Sequence, residues 1–120
     1  MALLVILQTD EPERLRSALA LAAATAARDE AVTLLWEGPA LTHLVAGGLS
    51  RSEETWPEGV DSPALLHATL IELPSVKQLA CPTAVAAAGL TEEAVAIHVD
   101  ALLGLSRILE ETEGARLLYV

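Results

Sequence analysis

Short apolar runs rich in β-branched residues alternate along this chain with alanine-rich segments of helical spacing, and this alternation restricts the fold more than any other feature. Ala2 to Leu7 is continuously apolar, carries Val5 and Ile6, and closes at Thr9 and Asp10. Such a run reads as a strand buried on both faces. Ala31 to Trp36 has the same character, and Val76 to Ala80 reads as a third strand. After the first run, Thr9 or Asp10 can cap a helix with Glu11 and Glu13 in its first turn and Pro12 where a missing N–H costs nothing. That helix is expected to run to about Arg28. Gly38 and Pro39 read as breakers, and a short helix follows from about Ala40 to Ala46, stopped by Gly47 and Gly48. Gly47 to Ser62 gathers turn formers without an apolar period and reads as a mobile loop.

Asp61 or Ser62 can cap a helix from Pro63 to about Leu73, and Pro82 to Ala88 reads as a helix halted at Gly89. Thr91 opens another turn, with Glu92 and Glu93 in its first positions. Ala96 to Val99 reads as a fourth strand, Asp100 as the cap of a helix to about Thr112, and Ala115 to Val120 as a last strand. The implied fold is a single-domain, three-layer α/β sandwich. It has a four- or five-stranded, mostly parallel sheet with helices on both faces. A chain of 120 residues suits one such domain, in which chemistry gathers at the C-terminal ends of the strands.

The composition, 52% apolar and 20% charged, belongs to a folded globular protein. No apolar tract is long enough to span a bilayer, and MALLVILQTD lacks the basic flank of a secretory signal, so a cytoplasmic location is expected. A net charge of −10 with seven Lys and Arg argues against nucleic acid and against anionic membranes as partners. No GxGxxG or Walker-type string occurs, and no Cys/His cluster is spaced for zinc, so neither a cofactor nor a metal is called for. The histidines, His43, His67 and His98, read as surface or helix-face residues, although His43 could face the C-terminal edge of the sheet and act as a base.

Chemistry therefore concentrates on Cys81, the one cysteine. It stands at the end of the third strand, ahead of Pro82. As the N-cap of the Pro82 helix, its sulfur would lie near unpaired N–H groups that favour the thiolate. A lone cysteine among apolar residues can instead be a small buried hydrophobe. Without a second cysteine, any redox or relay cycle must finish on another molecule.

Three strings, TDEPERLRSALALAAATA, AVTLLWEG and LACPTAVAAAGLTEEAV, together resemble the DsrE/DsrF-like family of small sulfur-carrier proteins over nearly the whole chain. Thr9 to Ala26, TDEPERLRSALALAAATA, is similar to the family's entry into an alanine-rich first helix. AVTLLWEG, Ala31 to Gly38, resembles its second strand and glycine turn, and LACPTAVAAAGLTEEAV, Leu79 to Val95, its third-strand cysteine, short helix and acidic helix start. The resemblance implies a flavodoxin-like fold, assembly as a homo-oligomer (dimer, trimer or hexamer), and a persulfide on Cys81 passed between a sulfur donor and an acceptor protein. Thr83 and the backbone of Pro82, Thr83 and Ala84 would cradle the sulfur, with Thr9 and His43 as neighbours at other strand ends. Trp56, in the polar loop, is a candidate interface residue. Two other readings stand beside this one. The chain could be a noncatalytic oligomeric subunit or small-ligand binder with a buried Cys81, or a one-cysteine peroxide-reducing protein.

Overall fold

The computed structural model describes residues 2–120. Five strands alternate with seven helices: β1 (Leu3–Leu7), α1 (Pro12–Ala26), β2 (Val32–Trp36), α2 (Gly38–Val45), α3 (Gly48–Glu53), α4 (Pro63–Ile71), β3 (Val76–Ala80), α5 (Pro82–Ala87), α6 (Glu92–Ala96), β4 (Ala101–Leu102), α7 (Leu105–Glu111) and β5 (Arg116–Tyr119). All strand pairs are parallel, and the sheet order is β4-β3-β2-β1-β5. The expected α/β sandwich of the flavodoxin-like kind is the observed fold, with five strands.

Strand order fixes how the helices are shared between the faces. From β1 to β4 each step moves the same way across the sheet, and right-handed crossovers put every intervening helix on one side. Only the step from β4 back past β1 to β5 reverses, so α7 alone crosses the opposite face. Packing follows this division. Leu3, Val5, Leu7, Leu34 and Trp36 join Leu15, Leu19, Leu41, Leu70, Val85 and Val95 in the main core. On the other side, Leu4, Leu35 and Leu79 close on Ile108 of α7. Because successive strand residues point to opposite faces, the continuous apolar runs supply both cores.

The second face is thinly covered. A seven-residue helix is about 10 Å long, whereas five strands span about 19 Å. Leu117 and Tyr119 of β5 register with Leu4 and Ile6 of β1, so they face the same side. They are 64% and 57% exposed, and Leu105 and Leu109 on α7 are 50% and 55% exposed.

Several sequence expectations are corrected. Ala96 to Val99 is not a strand: the hydroxyl of Thr91 caps α6, the helix runs through Ala96, and the following Ile97 is 81% exposed. The fourth strand is Ala101–Leu102. Asp100 caps no helix; its N–H donates to the Gln78 carbonyl and its Oδ2 accepts from the Gln78 N–H, both at 2.7 Å. This pair of hydrogen bonds to β3 draws the chain into the sheet one residue later and delays α7 until after Gly104. Neither Thr9 nor Asp10 is the N-cap of α1; Glu11 holds that position, and the Thr9 hydroxyl accepts from its N–H at 3.1 Å. Gly38 and Pro39 open α2 instead of breaking the chain, with Gly38 at φ +54° where a Cβ would crowd Gln8. The stretch from Gly47 to Ser62 is not a plain loop, since it contains α3. The Ser62 hydroxyl accepts from the Leu65 N–H and caps α4 as anticipated.

Candidate functional site

Cys81 follows β3 directly. Its backbone is extended (φ −92°, ψ 134°), and it is the N-cap of α5, with Pro82 in the first turn. Proline there is pre-set for the helix and gives up no hydrogen bond. The thiol, 8% exposed, sits over the opening turn and beside the end of β4, whose Leu102 registers with Ala80 and whose neighbour Leu103 donates to the Ala80 carbonyl at 3.0 Å. Two turns thus meet at one sulfur.

Their electrostatic effect is opposed by burial. Burial pushes the Cys81 thiol up, but the N–H groups of Thr83 and Ala84, the Thr83 hydroxyl and the N–H of Leu105 together outweigh it and hold the thiol below its ordinary value. None of the first-turn N–H groups forms a fully aligned hydrogen bond to the sulfur. The stabilisation is therefore a field of converging dipoles, the usual route to an acidic thiol at a helix start. Among the described residues no charged side chain contributes to it.

Of the anticipated cradle, Pro82, Thr83 and Ala84 lie against Cys81 in the same turn. Thr9 and His43 do not join them. Thr9 follows β1, two strands from β3 and so roughly 10 Å across the sheet, where its N–H donates to Val120. His43 lies on α2 in a groove with Asp10 and Arg51, and its ring abuts Gly48 so closely that a Cβ there would collide with it. Burial pulls its pKa down, Asp10 opposes this, and Arg51 adds to it. Trp56 is half-buried beside the start of α1, away from β3.

Leu105 was missed in the sequence because it falls inside the helix that Asp100 was expected to cap. The signal was present: the apolar pair Leu102-Leu103 ahead of Gly104 marks a strand end and a turn. Also unanticipated is a polar cluster in the main core beneath β3. Gln78 is buried, and its Oε1 accepts from Trp36 Nε1 at 3.1 Å and lies 2.7 Å from His67 Nε2. An indole N–H can only donate, so the amide atom facing it is the oxygen, and His67 must donate through Nε2. The His67 ring also meets Trp36 edge-on, with ring centres 5.5 Å apart.

No group of three His, Cys, Asp or Glu side chains is placed to hold a metal ion among the described residues. None of the described helices is long and apolar enough to cross a membrane. Compared with known proteins, the chain matches no family model, and no curated protein matches it.

Proposed function

We propose that the protein is a sulfur carrier of the DsrE/DsrF-like type, which holds a persulfide on Cys81 and passes it to a partner. The observation that carries this reading is the convergence of the α5 and α7 openings on the Cys81 thiol, which lowers its pKa without a charged neighbour. The chemistry balances with donor and acceptor alone. The Cys81 thiolate attacks the sulfane sulfur of a polysulfide; a bond forms from Cys81 to that sulfur, and the donor's S–S bond breaks, releasing a shortened polysulfide anion. An acceptor thiolate then attacks the terminal sulfur and expels the Cys81 thiolate. N–H groups aimed at the strand end stabilise the anion before loading and after release. No second cysteine or cofactor takes part.

The thin cover over the second sheet face supports the homo-oligomer implied by the resemblance. Leu105, Leu109, Leu117 and Tyr119 together leave an apolar side that a second copy of the chain would bury.

A second reading is favoured by one observation, the 8% exposure of Cys81. In it the thiol is a packing residue and the protein is a noncatalytic subunit or ligand binder. Intact-mass spectrometry after treatment with polysulfide separates the two readings. A gain of one sulfur atom, absent after alkylation and absent in Cys81→Ser, is the expected result. No gain, with Cys81 alkylated only after unfolding, leaves the structural reading standing.

A further inference from the structure

A broad groove lies away from Cys81, which is not among its lining residues. It has a volume of about 760 Å³ and lies between the start of α1 and the turns that join α3 to α4. Two side chains that line it, Arg16 and Trp56, each keep a buried N–H without an acceptor among the described residues, Nε of Arg16 and Nε1 of Trp56. Arg16 also forms no ion pair among those residues. A buried donor left unpaired is costly to the fold, the more so when it is charged. Two such donors belong to side chains that line one groove and come from segments far apart in sequence, so the groove carries an unmet demand for acceptors.

Both groups can only donate, so their complement is an acceptor, and the fixed charge of Arg16 makes that acceptor an anion. Pro12, Pro57, Val60 and the Trp56 ring supply apolar wall. Exposed Glu11 and Glu13 share the rim, and the net charge of the chain is −10. These charges repel polyanions such as phosphates while leaving one negative charge tolerable beside Arg16. The volume is that of a small-molecule site.

We infer that this groove binds a small organic monocarboxylate, its carboxylate taking the Arg16 guanidinium and Trp56 indole N–H groups and its apolar body lying against Pro12, Pro57 and Val60. Neither N–H is open to solvent as the groove stands, so the ligand enters with a turn of the Trp56 side chain, which sits among turns outside the helices. The site does not depend on any role for Cys81.

Phenylacetate and its neutral amide, phenylacetamide, test this by calorimetry and tryptophan fluorescence on the intact protein. Trp36 is fully buried in the core, so a change in emission reports Trp56. Saturable binding of phenylacetate with a fluorescence change is expected, with phenylacetamide weaker by roughly tenfold or more. Arg16→Gln should weaken phenylacetate to a similar degree, and Trp56→Phe should weaken it severalfold and remove the signal. Equal binding of acid and amide, wild-type affinity in Arg16→Gln, or no saturable binding of either probe overturns the inference. If Arg16→Gln does not fold, the acid and amide on the wild type and the Trp56→Phe variant decide the matter.

Discussion

The N–H of Leu105 acts on the sulfur of Cys81 although the two residues open different helices, α7 and α5, because β3 and β4 end side by side. Leu105 is the first residue of α7, and the preceding Gly104 has φ −62° and ψ 150°, a conformation that a following proline accepts. Leu105→Pro should therefore delete this one N–H while leaving the helix intact. The Cys81 pKa is expected to rise toward its ordinary value. Alkylation, which needs the thiolate, should slow at neutral pH, and the midpoint of its pH profile should move up. An unchanged profile, with circular dichroism showing the native fold, would remove Leu105 from the site.

Gln78→Met tests the polar cluster beneath β3. Methionine fills a similar volume but leaves the Trp36 and His67 donors without their shared acceptor. At about 1–3 kcal/mol per orphaned buried donor, the loss from two donors should be about 2–6 kcal/mol. Urea unfolding reads it as a lower midpoint at unchanged slope.

His67 gives the fold a pH dependence of defined sign. Burial holds its pKa below the ordinary 6.5, against an opposing bond from Gln78 and with a smaller push from His98. Well above pH 6.5 the ring is neutral folded and unfolded, so its contribution is complete there. As pH falls below that value the unfolded chain takes up the proton first, and stability declines until the folded pKa is passed. Unfolding midpoints measured from pH 7.5 down to 5 should fall more steeply in the wild type than in His67→Gln. Parallel curves would show that His67 is not the group responsible.

Leu109→Glu combined with Leu117→Glu places charge on the thinly covered sheet face. Light scattering after size-exclusion chromatography is expected to show an oligomer for the wild type and a monomer for the double variant at the same concentration, with native circular dichroism in both. A monomeric wild type at tens of micromolar would show that this face is not a subunit interface.

The sheet was legible in the sequence where a strand is mostly apolar and β-branched: Leu3–Leu7 is apolar throughout, Val32–Trp36 is interrupted only by Thr33, and Val76–Ala80 still ends on an apolar pair after Lys77 and Gln78. The position of Cys81 at an N-cap was equally legible, since a strand, a cysteine and a proline in that order leave few alternatives. The fourth strand was not. Its two residues hold their place through Asp100, whose carboxylate bonds a backbone N–H on another strand. No periodicity records such a contact. For the same reason Leu105 stayed hidden.

Asp100 has a further consequence for a sheet whose outer strand is so short. β4 pairs only with Leu79 and Ala80, so the rest of β3 has no strand on that side. At Gln78 the free edge is occupied by the Asp100 backbone and carboxylate instead. An extended segment from another molecule that sought to lengthen the sheet there would have to displace an anion from the N–H it needs, and would set its own carbonyl oxygens beside that charge. A single aspartate thus serves as a gatekeeper against edge-to-edge assembly, the hazard that short outer strands otherwise leave open.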